Sequence, residues 1–154
     1  MKLLVDENKL IEYAKIFFKQ NGFKRKNKRW TKDIGEFTLV FYIQGSSYSK
    51  DDYYIRPGVF INAIDKTNSY YGHFHTQIEI SNTESIIQEF FDFCETWTDK
   101  QRIKKMLHEF IKWDKRNPLE KRRLGQADYE KDPVPSKVFF GVPQIAIDYI
   151  LINF

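Results

Sequence analysis

A single cysteine, Cys94, leaves no partner for an intramolecular disulfide and points to a reducing compartment. No apolar run approaches the length that spans a bilayer. The opening MKLLVDENKL has a three-residue apolar run before Asp6 and Glu7, too short for the apolar core of a secretory signal. These shortages read as a cytoplasmic protein with no membrane partner. Enzyme signatures are missing as well: there is no Gly-x-Ser-x-Gly elbow, dinucleotide fingerprint, phosphate-binding loop or paired-histidine helix motif. That shifts the expectation from catalysis towards binding, names no catalytic residue and implies no cofactor. Internal repeats and low-complexity stretches are absent too. Neither sign of charge dominates, since 25 basic residues stand against 21 acidic ones, and a net charge of +4 does not by itself imply nucleic acid.

What the chain has in excess is aromatic residues: 14 Phe, 9 Tyr and 3 Trp among 154. Aromatics favour strands and bury large areas, so a sheet with a bulky core is expected. The length suits one domain, residues 1–154, built from two packed layers.

The pattern divides into helix, strands, then helices. From Asp6 to Gln20, residues Leu10, Ile11, Ala14, Phe17 and Phe18 recur at helical spacing, with Asp6 placed to cap and Gly22 to stop the helix. A first strand is expected over Phe23–Thr31, heavily basic and therefore an edge. Glu36–Gln44 alternates cleanly, with Phe37, Leu39, Phe41 and Ile43 on one face and Thr38, Val40, Tyr42 and Gln44 on the other. A third strand spans Tyr53–Ile64, where Pro57-Gly58 predicts a bulge or an unpaired edge. A fourth spans His73–Ile80, after turn residues Asn68-Ser69 and Gly72.

Helical period then returns. Asn82 or Thr83 opens a helix with an apolar stripe of Ile86, Ile87, Phe90, Phe91 and Cys94 and an acidic outer face. Asp99–Lys115 buries Ile103, Met106, Leu107, Phe110 and Ile111, and Asn117-Pro118 ends it. Glu120–Ser136 reads as a surface loop. In the tail, Pro143 opens a segment that is favoured as a helix with Ile145, Ala146, Tyr149, Ile150 and Ile152 inward. Its β-branched content keeps a terminal strand as the rival. The sum is an α+β fold: an antiparallel sheet of about four strands, an N-terminal helix, and two or three C-terminal helices.

Gly22-Phe23-Lys24-Arg25-Lys26, Trp30, the strand ending at Gln44, Ser46, Tyr53-Tyr54-Ile55 and Gly58-Val59 together resemble the bacterial family catalogued as domain of unknown function 4304. Gly45 and Arg56-Pro57 depart from its pattern. The resemblance implies an α+β domain and no established activity. It also hints at the small bacterial proteins that neutralise toxins as immunity proteins.

Candidate sites of several kinds follow. The carboxylates Glu84, Glu89 and Asp92, with Glu95 on the same helix face, would serve a protein partner as acid that masks a basic surface, and the polar connection bearing Tyr48, Asp51 and Asp52 is either a binding loop for such a partner or an ordinary surface hairpin. Lys24, Arg25, Lys26, Lys28, Arg29 and Trp30, a basic run with an aromatic, would instead contact phosphates and stack a base. A second basic stretch, Lys100–Arg123, has ten basic against three acidic residues. His73 and His75, two apart on a strand beside Glu79, have the spacing of metal ligands but form an incomplete set, and no metal is expected. Cys94 lies on an apolar stripe and reads as a small buried hydrophobe. An immunity-type binding module is the leading expectation, a nucleic-acid-binding module the alternative, and an enzyme of unrecognised type the third reading. Oligomeric state is not legible.

Overall fold

The computed structural model describes residues 7–45, 53–66, 70–78 and 83–154. The elements run α1 (Glu7–Gln20), β1 (Lys24–Lys26), β2 (Arg29–Asp33), β3 (Phe37–Gly45), β4 (Tyr53–Ile61), β5 (Phe74–His75), α2 (Thr83–Trp97), α3 (Lys100–Arg116), α4 (Leu119–Arg123), a 3-10 turn (Lys137–Gly141) and α5 (Gln144–Asn153). This is an α+β fold whose antiparallel sheet has the order β1-β2-β3-β4-β5.

The sheet has five strands where about four are expected, because the basic run folds back on itself. Asn27 takes a positive φ of 57°, a conformation asparagine tolerates, and the chain turns there to pair Lys26 with Arg29. At the preceding junction Gly22, at φ 81°, stops α1. The Gly22 N–H donates to the Lys19 carbonyl and the Phe23 N–H to that of Phe18, with the Phe23 and Phe18 rings 4.7 Å apart.

Leu10, Ala14 and Phe18 of α1 and Ile86, Ile87 and Phe90 of α2 pack on Phe37, Leu39, Phe41 and Ile43 of β3 in one cluster of buried side chains. Aromatic edges and faces fill this layer: Phe18 meets Trp30, Phe41 and Phe90 with ring centroids 5.0–5.8 Å apart. α3 adds Ile103, Leu107, Phe110 and Trp113. Met106 and Ile111, expected inside, are only partly buried at the margin of the core.

β4 runs without a bulge through Pro57-Gly58, opposite Phe41 and Val40. The Pro57 carbonyl accepts from Thr76 N at 3.2 Å, so the missing N–H faces β5 rather than the long β3 ladder. Pairing on that side is brief. The strand expected over His73–Ile80 reduces to Phe74–His75 and one bridge between Ile55 and Ile78, with Glu79 and Ile80 outside the described residues. Asp6, Asn68-Ser69 and Asn82 also lie outside them.

The tail is a helix. Ala146 and Ile150 are buried, but Ile145 and Ile152, expected inward, are 51% and 80% exposed. Glu120–Arg123, expected as loop, are helical and make up α4 after Leu119, and the remainder of the Glu120–Ser136 stretch is tied to α3 by Asp132.

Candidate functional site

The sheet face away from α1 and α2 carries the even-numbered residues of β3 and β4. Strand register aligns Lys26, Arg29, Tyr42 and Arg56 in one row across β1, β2, β3 and β4. Adjacent strands lie about 4.8 Å apart, so the two arginines flank Tyr42 at about 10 Å between backbones. Lys24 occupies the next row on the edge strand, opposite Thr31.

The segment at Tyr70 and Tyr71 lies over this face. The Tyr70 and Tyr71 rings stand 5.0 and 5.5 Å from that of Tyr42 and 5.6 Å from each other. Arg56 lies 4.8 Å over Tyr71 and donates from Nε to Gln44 Oε1 at 2.8 Å. Arg29 lies 5.2 Å from the Tyr70 ring and 6.0 Å from that of Phe60. Its Nε is buried and meets no hydrogen-bond acceptor among the described residues. Among the described residues no carboxylate pairs with Arg29 or Arg56. The carboxylate on these strand positions, Asp33, accepts from Gly35 N and Asn62 Nδ2 at the far end of the face.

Burial, together with Tyr70 and Tyr71, holds the Tyr42 hydroxyl above its ordinary pKa and keeps it neutral. Burial and the charge of Arg56 push His75 below the usual histidine value. The face therefore offers positive charge that no carboxylate pairs with among the described residues, beside neutral rings of which Tyr70 is 56% exposed. Guanidinium groups and exposed aromatic rings are the chemistry that contacts anions and stacks planar groups.

The family described as domain of unknown function (DUF4304) matches residues 15–126. The chain belongs to that family. No curated protein and no solved structure matches it. The DUF4304 match covers every residue of the Lys26–Arg56 row and both overlying tyrosines, and ends before the 3-10 turn and α5.

Within the DUF4304 domain the basic run divides between two faces. Lys24 and Lys26 are exposed on the open face with Arg29. Arg25 lies on the other side, 5.7 Å over the Trp30 ring, and donates from Nε to the Asn27 carbonyl at 2.6 Å. Lys28, half-buried in the turn, gives its carbonyl to Ile43 N. Trp30 itself is 1% exposed among Phe18 and Phe41, so it cannot stack a base. The aromatic rings this face does present, Tyr70 and Tyr71, were not among the candidates the sequence pointed to. A smaller cavity of about 280 Å³ lies on the Arg25 side, between Lys15, Lys19, Phe23 and Trp30.

The protein-binding candidates sit elsewhere. Glu84, Glu89 and Asp92 are exposed along α2, and Asp92 accepts from Gln88. Tyr48, Asp51 and Asp52 lie outside the described residues. His73 is buried with both ring nitrogens engaged: Nδ1 accepts from Ile61 N at 2.8 Å and Nε2 faces the Asp65 carbonyl at 2.8 Å. That leaves it no lone pair for a metal, and no group of three His, Cys, Asp or Glu suited to one occurs among the described residues. Burial raises the Cys94 thiol well above its usual pKa, which suits a core residue rather than a nucleophile. No helix of the described residues is long and apolar enough to cross a membrane.

Proposed function

We propose that this protein is a binding module for single-stranded nucleic acid, held on the open face of the sheet. Arg29 and Arg56 flanking Tyr42 without a carboxylate partner among the described residues is the observation that supports it. Lys24 and Lys26 extend the same charge to the β1 edge. Phosphates would follow the cations, and an unstacked base would lie on Tyr70. A duplex keeps its bases paired and offers the tyrosine no free base face. Fluorescence anisotropy with a labelled single strand of about ten nucleotides, against the matching duplex, tests this at low salt. Preference for the single strand, weakened in Tyr70→Ala and Arg56→Gln, is the expected result. Equal binding of both forms, or binding that ignores both substitutions, sinks the reading.

A second reading is a protein-binding, immunity-type module working through α2. It is favoured by Glu84, Asp92 and Glu95, which lie exposed at helical spacing and meet no basic partner among the described residues. Charge reversal at Glu89 and Asp92 should abolish capture of a basic protein partner. Unchanged capture excludes this helix as the contact.

A further inference from the structure

A separate surface forms where the end of α3, α4, the following loop and the 3-10 turn meet. Residues 124–136 belong to no named helix or strand, yet the segment is held at one residue from three directions. Arg116 donates to both carboxylate oxygens of Asp132 at 2.9 Å, Asn117 Nδ2 donates to Oδ2 at 2.8 Å, and Trp113 Nε1 donates to its carbonyl at 2.8 Å. Asp128 Oδ1 accepts from the backbone N–H groups of Glu130 and Lys131. The loop is preorganised, and such a surface gives up little conformational entropy on binding.

What it holds open is an apolar groove of about 610 Å³, lined by Tyr129, Pro133, Val134, Lys137 and Phe140. Tyr129 and Phe140 are 50% and 49% exposed, with ring centroids 6.1 and 5.8 Å from that of the fully buried Trp113. Two half-exposed aromatic faces over a buried tryptophan resemble the apolar centre of a recognition site.

Charge selects the occupant. Lys137 lines the groove and meets no carboxylate among the described residues. Arg122 lies 5.1 Å over Phe140 and 5.2 Å over Trp113, and its buried Nη1 lies 3.4 Å from Asp114 Oδ1 but makes no hydrogen bond among the described residues. The acids nearby are committed: Asp132 to Arg116 and Asn117, and Asp128 to backbone. Glu130 and Lys131 are adjacent and opposite in sign. Lys137 is the charged side chain of the groove lining, and it is the cation the groove offers to an anionic group.

We infer that this groove docks a short acidic peptide, taking one bulky apolar side chain between Tyr129 and Phe140 and a neighbouring carboxylate on Lys137. The inference is independent of nucleic-acid binding, because the lining residues lie outside the basic sheet face.

The test uses the full chain, ¹⁵N-labelled, and an acetylated hexapeptide with a central Phe-Leu pair flanked by two aspartates on each side. The indole N–H of Trp113, assigned by its loss in Trp113→Phe, should shift saturably together with Val134. The shift should disappear in Phe140→Ser. In Lys137→Glu it should need at least about tenfold more peptide, the equivalent of one charge-assisted hydrogen bond. An equal response to a lysine-flanked peptide overturns the inference. So does an unmoved indole signal at millimolar peptide, or retained affinity in Lys137→Glu. A shift that depends on protein concentration without peptide would show a second copy as the occupant and overturn it too.

Discussion

A Cβ on Gly58 would stand 1.6 Å from the carbonyl oxygen of Tyr71, so β4 and the Tyr71 segment meet backbone to backbone. This contact seats Tyr70 and Tyr71 above Tyr42. Gly58→Ala must push the segment off the sheet, because the obstacle is main chain rather than a flexible side chain. The expected loss is about 3 kcal/mol, the upper range for overpacking, read from the denaturant midpoint. Affinity for single strands should fall with it.

Trp30 and Arg56 should separate stability from binding. Trp30 is buried in the aromatic layer, and Trp30→Ala should cost about 3–5 kcal/mol as a core truncation. The milder Trp30→Phe should leave single-strand affinity near the parent value. Arg56 is half-buried, donating to Gln44, so Arg56→Gln should cost about 1 kcal/mol while weakening binding. Paired denaturation and anisotropy measurements check both halves.

The buried His73 should make stability depend on pH. Burial lowers its pKa from 6.5, and Ile61 N–H requires a bare Nδ1. The unfolded chain then binds the proton more readily than the folded one. Stability is full above about pH 6.5 and falls as pH drops through the lower folded value. His75 adds to the same trend. Chemical denaturation should give a higher midpoint at neutral pH than in mild acid, and NMR titration of the His73 ring should report the depressed pKa.

The Asp132 clamp should respond in a lower window. Hydrogen bonds from Arg116 and Asn117 hold the carboxyl down to about 2. Its contribution is present above the ordinary value of 3.8 and is lost as pH falls towards 2. Asp132→Asn should loosen the loop at neutral pH and shift the Trp113 indole signal modestly, because the backbone carbonyl it meets remains.

The layers of the fold were legible where a single period decided them. The alternation of Phe37, Leu39, Phe41 and Ile43 and the α2 stripe ending at Cys94 appear in the structure as read, and Cys94 is buried. The basic run was harder. A single strand from Phe23 to Thr31 explains its charge as well as a hairpin does, and the turn rests on Asn27 adopting a positive φ. Pro57-Gly58 predicts a bulge or an unpaired edge, because sequence position does not show which neighbour the missing donor faces.

The candidate site was legible only in part. Lys24, Lys26 and Arg29 lie in the run that was singled out. Tyr42 and Arg56 join Arg29 only once strand register is known, since they come from three different strands. Tyr70 and Tyr71 arrive through the contact at Gly58, which no local period encodes. Trp30 misled because one residue along a strand reverses the face.

The most direct test of nucleic-acid binding on this face is the salt dependence of single-strand affinity. Phosphate contacts by Lys24, Lys26, Arg29 and Arg56 should give a plot of log K against log salt with a slope of about −3, at ~0.7 per contact. Arg56→Gln should flatten the slope by about 0.7, and Trp30→Phe should leave it unchanged. No binding at low salt, or a slope that survives Arg56→Gln intact, would contradict the assignment.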